Sequence, residues 1–169
     1  MEEHRKHYYR MVNSSQEEEK LLIVKNLLDK YKYAVIIVNK ENIWKLAYKI
    51  KCLMPAEFKV CVIDTHRVMN CEERNKVISD FRSSNIGALI STDIIVGINF
   101  FPLPLVINFN PPQEHPYDNT KYDIQKYIDR SYMVGQYGRQ GTIVTLIEKS
   151  EENWLNEIKD IINIECLSE

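Results

Sequence analysis

Glycine is scarce in this sequence, and where it is missing excludes a whole chemistry. The 169 residues hold five glycines, Gly87, Gly97, Gly135, Gly138 and Gly141, and none opens a helix behind a strand-like run. The pattern G-x-x-x-x-G-K-[ST], whose backbone N–H groups cradle phosphates, does not occur. No acidic pair follows an apolar strand-like run, as a Mg²⁺ site requires. A self-contained nucleotide hydrolase therefore lacks its two main parts. The G-x-S-x-G elbow of acyl-transfer enzymes is also missing, as is a sequence-marked Cys–His couple. The four cysteines, Cys52, Cys61, Cys71 and Cys166, never fall at C-x-x-C spacing, and His4, His7, His66 and His115 are scattered. No structural metal is expected. No apolar run approaches the ~18 residues of a membrane span. The charged start MEEHRKHYYR carries no apolar signal segment. The expectation is an intracellular chain, cytoplasmic or nuclear, with no membrane partner. Net charge is −2, which excludes holding nucleic acid by bulk charge and leaves open a local basic face.

What is present is an alternation. Hydrophobic residues make up 44% and charged residues 27%, the balance of one folded domain over residues 1–169. Residues 7–12 read as a short strand. Ser14 or Ser15 is placed to cap the following helix, whose Leu21, Val24, Leu27 and Leu28 recur at helical spacing. Residues 33–38 (YAVIIV) form a continuous β-branched run, the mark of a strand covered on both faces. Asn39 is expected to cap a helix carrying Ile43, Leu46, Ala47, Ile50 and Leu53 on one stripe. Residues 58–63 (FKVCVI) make the next strand, and Asn70 with Glu73 forms an N-x-x-E capping pair. Residues 88–91 and 105–109 read as strands. The Pro-, Asn- and Asp-rich stretch 110–121 reads as an exposed loop insertion. A helix to about Val134, a strand over 142–147 and an amphipathic helix through Trp154, Leu155, Ile158, Ile161 and Ile162 complete the chain. This order predicts an α/β fold, a parallel sheet with helices on both faces and right-handed crossovers. Binding segments are expected at the C-terminal ends of the strands: 39–42, 65–70, 92–99, and the insertion with its following helix.

Four segments, in order, resemble the second RecA-like domain of DEAD-box RNA helicases. AVIIVNK at 34–40 resembles motif IV. HRVMNCEERNKVISDFR at 66–82 resembles the family's H-G-x-x-x-x-x-E-R-x-x-x-x-x-x-F-R block. LISTDIIVGIN at 89–99 with VINFNPP at 106–112 resembles motif V and the strand behind it. YIDRSYMVGQYGRQG at 127–141 resembles motif VI, Y-x-H-R-x-G-R-x-G-R, and its glycine turn. The resemblance covers essentially the whole chain and implies a single RecA-like domain. The long polar insertion is similar to that of the subgroup acting in mRNA export at the nuclear pore.

The departures from the family carry the functional reading. Motif VI supplies two arginines that reach the γ-phosphate, an effect of ~10³–10⁵ in rate. Aligned through Arg130 and Gly135, those positions hold Met133 and Gln136, which carry no charge. The family histidine is Asp129, the motif V arginine is lost, and the ribose-binding aspartate is Asn99. The glycine of the second block is Arg67, and Arg139 lies beyond Gly138 in the turn. The resemblance implies nucleotide contacts from Asn99, Arg130 and Asp93. It implies RNA-backbone contacts from Thr92, Arg74, Arg67 and Gly97. Each has a plainer alternative: Arg74 paired with a nearby Glu, Thr92 as a turn cap, Arg130 in an internal ion pair with Asp93 or Asp129. Tyr117, Tyr122, Tyr127, Tyr132 and Tyr137 either divide between core and surface or form a stacking surface. The expected function is a degenerate helicase C-terminal domain, a module for RNA or a protein partner without autonomous ATPase activity. ATP and Mg²⁺ would enter only through a completing domain. Two alternatives stay open: one half of a helicase completed by a first RecA-like domain on another chain, and a structural subunit of a ribonucleoprotein assembly.

Overall fold

In the computed structural model the described residues are 4–13, 17–39, 43–64, 69–84, 86–100, 102–114 and 121–168, with Ile94 described by its backbone alone. Seven strands form one wholly parallel sheet: β1 (Arg5–Val12), β2 (Tyr33–Ile37), β3 (Lys59–Ile63), β4 (Gly87–Ser91), β5 (Leu105–Asn108), β6 (Gly141–Glu148) and β7 (Ile164–Cys166). Their order across the sheet is β3-β4-β2-β5-β6-β1-β7. Five helices connect them: α1 (Glu17–Tyr31), α2 (Ile43–Leu53), α3 (Cys71–Arg82), α4 (Ile124–Ser131) and α5 (Glu152–Lys159). This is a RecA-like α/β architecture.

Two apolar clusters show how the sheet is sandwiched. Leu21, Val24, Leu28, Leu46 and Ile50 of α1 and α2 pack with Ala34, Ile36, Ile90 and Ile107 on one face. Ile78, Phe81, Tyr127, Trp154 and Ile158 of α3, α4 and α5 pack with Val35, Ile37, Leu89 and Val106 on the other. Alternate residues of β2 thus enter opposite cores, and residues 34–37 are wholly buried. That explains an unbroken apolar run where a one-sided strand would alternate.

Local signals set the helix ends. Asn70 accepts from the Glu73 amide at 2.8 Å and Glu73 Oε2 accepts from the Asn70 amide at 3.1 Å, so the capping box opens α3 as expected. Glu17, Glu18 and Glu19 in the first turn of α1 and Lys30 in its last suit the helix dipole. Past its end, Lys32 adopts φ 63° and returns its amide to Leu28 O at 2.9 Å.

Several sequence expectations need correction. Asn39 does not cap α2; its side chain turns inward to a polar cluster described below. A seventh strand, β7, follows α5 and pairs with β1. Of the loop expected at 110–121, residues 115–120 lie outside the described residues; at its ends Pro111 and Pro112 are buried, and Glu114 and Lys121 are exposed. Ser14, Ser15, Phe101 and Tyr117 lie outside the described residues. Of the other tyrosines in that series, Tyr122 and Tyr127 are core, while Tyr132 and Tyr137 are exposed.

Two stability outcomes follow. Lys32→Gly relieves a left-handed backbone at an exposed position and should add about 0.5–1 kcal/mol in urea unfolding. Glu151 is buried beside Lys20 and Glu148, and desolvation raises its carboxyl above the usual value. A raised folded-state value means stability is fully present below the unfolded value and is lost as pH rises through the folded one. Glu151→Gln should therefore melt higher than the unsubstituted protein at about pH 8, with the gap closing at about pH 4.

Candidate nucleic-acid and nucleotide interfaces

The C-terminal edge of the sheet is organised around one buried cation. Asp123 caps α4 by accepting from the Lys126 amide at 2.9 Å, and α4 then carries Arg130 inward until its side chain is wholly buried. A guanidinium has five N–H donors in a rigid fork. Here Nε donates to Asp93 Oδ1 at 2.5 Å. Nη2 donates to Asp93 Oδ2 at 2.9 Å and to Asn39 Oδ1 at 3.0 Å. Nη1 donates to Asn108 Oδ1 at 3.1 Å and to Asn110 O at 3.4 Å. Five donors meet five acceptors. Asn39 Nδ2 passes the network on to Pro111 O at 2.5 Å, and Asn108 Nδ2 to Thr145 Oγ1 at 3.0 Å. The C-terminal ends of β2, β4, β5 and β6 are thereby tied to α4. Of the two internal pairs open to Arg130, Asp93 is the one formed; Asp129 instead accepts from Gln125 Nε2 at 2.8 Å.

From this edge the chain behind β4 descends to the opposite one. Thr92 is half-buried at the strand end and its hydroxyl caps nothing in the turn that follows, so the turn-cap alternative is not met. Gly97 takes φ 88° with open space around its α-carbon, a conformation that favours glycine. Two residues on, Asn99 O accepts from Arg82 Nε at 2.8 Å and Nη2 at 2.5 Å. Arg82 ends α3, which leads into the N-terminal end of β4. Phe100 then anchors the segment edge-on to Phe81, ring centroids 5.6 Å apart.

The turn behind α4 lies at that same N-terminal edge. Because α4 runs antiparallel to the strands, its far end lands beside the start of β1, where Val134 O accepts from Arg5 Nε at 3.1 Å. The expectation that every binding segment sits at C-terminal strand ends is corrected here: Asn99, Met133 and Gln136 do not. Met133 is 4% exposed and belongs to the core. Gln136 Nε2 donates to Tyr132 O at 3.1 Å. Gly135 has φ 69° and its α-carbon faces Arg5 so closely that a Cβ would lie 2.8 Å from Arg5 Cγ. A cavity of about 230 Å³ lies beside the turn, lined by Pro102, Leu103, Met133, Gln136 and Arg139 among others. Among the described residues, Arg139 is the cation in its wall. A wall with a buried thioether, an amide and Arg139 as its cation among the described residues falls short of the positive charge that a triphosphate calls for.

Arg74 stands in the first turn of α3, at the C-terminal edge near Thr92's end of the sheet. Its Nε is buried without a hydrogen-bond partner among the described residues. The neighbouring Glu73 is engaged in the capping box instead of pairing with it. An unanswered buried donor costs ~1–3 kcal/mol, so an acceptor arriving from outside would be rewarded. Arg67 lies outside the described residues. No group of three or more metal-ligating side chains occurs among the described residues, and none of their helices is long and apolar enough to cross a membrane.

Sequence reading found Arg130 and Asp93 but missed Asn39 and Asn108. The available signal was an asparagine directly behind each of two wholly apolar strand runs, where a buried amide needs partners. Removing one member of a buried ion pair leaves its partner uncompensated. Asp93→Ala should cost on the order of 3 kcal/mol in urea unfolding, and Asp93→Ala with Arg130→Met should cost less than the sum of the singles. A loss below about 1 kcal/mol would mark the pair as screened, since Asp93 is 36% exposed.

The sequence matches the model of the helicase conserved C-terminal domain over residues 19–139. It is 36% identical over 104 residues to the ATP-dependent RNA helicase FAL1 of Vanderwaltozyma polyspora, covering 61% of this chain and 24% of that protein. The chain thus spans about a quarter of the length of the curated relatives it matches. The C-terminal domain of the DEAD-box protein Dbp5 superposes with a TM-score of 0.74 at 23% identity, covering 96% of this chain and 89% of that one. Dbp5 of S. cerevisiae bound to RNA and ADP BeF3 gives 0.77 at 23% identity, covering 96% and 41%. With the four ordered motifs, the all-parallel sheet and the buried arginine tie already in place, the chain belongs to the helicase conserved C-terminal domain family and has the fold of a DEAD-box helicase's second RecA-like domain.

Proposed function

We propose that this chain is a degenerate helicase C-terminal domain, a module that binds RNA or a protein partner and does not hydrolyse ATP by itself. One observation carries the reading. All five donors of Arg130 are engaged inside the domain, while the two positions that face phosphate in the family hold a buried methionine and a neutral amide. Phosphoryl transfer needs positive charge already in place where negative charge develops, and an absent arginine finger costs ~10³–10⁵ in rate. No catalytic step is assigned to this chain's own residues. ATP and Mg²⁺ belong to the reading only where another domain completes the site.

The RNA side has more support. Thr92 and Arg74 stand at the same C-terminal edge, and Arg74 Nε is a buried donor with no acceptor among the described residues. A phosphate oxygen would answer it, and the solved Dbp5 neighbour is bound to RNA. The reading places the protein in the cytoplasm or nucleus, in the mRNA-export subgroup that its polar insertion resembles.

Two measurements test this. Steady-state ATP hydrolysis by the chain, with and without RNA, should stay at background. Turnover of about 1 s⁻¹ or faster would overturn the reading. Filter binding to single-stranded RNA across a salt series should show weak, salt-sensitive affinity. Arg74→Ala should weaken binding equally for all sequences and flatten the log–log salt slope by about 0.7. An unchanged slope removes Arg74 from the interface.

A further inference from the structure

The face of the sheet bearing α1 and α2 has an open flank. Between α1 and the β1–β7 side runs a groove of about 1090 Å³. Its floor is mainly aliphatic: Leu22, Ile23 and Leu27 from α1, with Leu167 opposite and Tyr8 below. Leu22 is 58% exposed. The groove follows α1 from Glu19 to Tyr31, a length of roughly 20 Å at the helical rise.

Charge sets this groove apart from the rest of the chain. Among the described residues its rim carries three cations, Lys6, Arg10 and Lys30, against one anion, Glu19, on a protein whose net charge is −2. Glu19 is already engaged, its Oε2 accepting from the Asn13 amide at 2.9 Å. Arg10 Nη1 donates to Leu167 O at 3.0 Å, which holds the tail as a wall without neutralising the charge. Lys6 and Lys30 are exposed. The smaller cavity beside Met133 shares Pro104 and Gln140 with this groove, so the track continues around the N-terminal edge and gains Arg139.

We propose that this groove docks an acidic protein segment. Aliphatic or aromatic anchors of the partner would cover Leu22 and Ile23, and flanking carboxylates would meet Lys6 and Lys30. An aliphatic floor rewards side-chain anchors, whereas nucleic-acid bases need open aromatic faces on which to stack. Of the two rings in the lining, Tyr8 packs against the core, and Tyr31 has its hydroxyl on Thr142 Oγ1 at 3.1 Å and the Lys30 ammonium 5.5 Å from its centroid. The groove lies on the opposite face from Arg130 and α4, so its test is separate from the ATPase assay.

The test is selection of a phage-displayed random library of roughly 16-residue peptides on the full chain, followed by fluorescence anisotropy of the enriched peptides. The proteins compared are the unsubstituted chain, Leu22→Asp, and Lys6→Glu with Lys30→Glu, all at exposed positions and checked for unchanged melting. Enriched peptides should combine Asp or Glu with aliphatic or aromatic anchors. Both variants should weaken them by about tenfold or more. No enriched family, an enriched family without acidic residues, or equal binding to the variants overturns the proposal. So does a single-stranded RNA oligonucleotide that binds the unsubstituted chain and is lost with the lysine reversals while no peptide binds.

Discussion

A guanidinium buried to zero exposure tolerates few arrangements, and the one seen here dictates much else. A charge in the interior must be answered by an opposite charge and by acceptors for every remaining N–H. Asp93 supplies the first, and Asn39, Asn108 and Asn110 supply the second. Those acceptors come from the ends of β2, β4 and β5, neighbours in a strand order that the sequence order does not make adjacent. The network therefore reports the correct tertiary assembly. A register slip in any of these strands would leave a buried donor without a partner.

The same tie has a consequence for chemistry. It ties α4 to the C-terminal edge through Arg130, while the turn behind α4 reaches the start of β1, where Val134 O accepts from Arg5 Nε. The domain thus presents two separated edges. One carries Thr92 and an arginine whose Nε has no partner among the described residues; the other carries a methionine in the core, an amide on a backbone carbonyl, and a small cavity. Structural framework persists at both edges, but formal charge at the second is reduced to Arg139 among the described residues of the cavity wall. Left-handed backbone at Gly135 and Tyr137 keeps the turn tight even without the side chains it displays in the family.

Much of the fold was legible because buried parallel strands leave a blunt signal. Residues 34–37 and 105–107 are apolar runs because helices cover both faces. The capping box at Asn70 and Glu73 was readable from spacing alone. What escaped was whatever lacks local periodicity. β7 is three residues long with two of them exposed, so it writes no apolar run. Asn39 has the composition of a helix cap, and only the distant Arg130, 91 residues away, explains its other use. Pro111 and Pro112 look like loop residues in sequence and are buried because the network draws the chain over itself. The placement of Met133 and Gln136 depends on where α4 ends, at Ser131, which the residue pattern read as a helix to about Val134 does not mark. The α1 groove is likewise a product of assembly, since its walls come from residues more than a hundred positions apart.

Whether a domain with this network retains any capacity for phosphoryl transfer is decided by complementation. The chain is mixed with a first RecA-like domain of a DEAD-box helicase, RNA and ATP, and hydrolysis is followed as the concentration of the chain is raised. The account predicts no rate beyond that of the first domain alone. A saturable, RNA-dependent stimulation that disappears with Arg139→Ala would contradict it, by showing a working cation at the edge where Met133 and Gln136 stand.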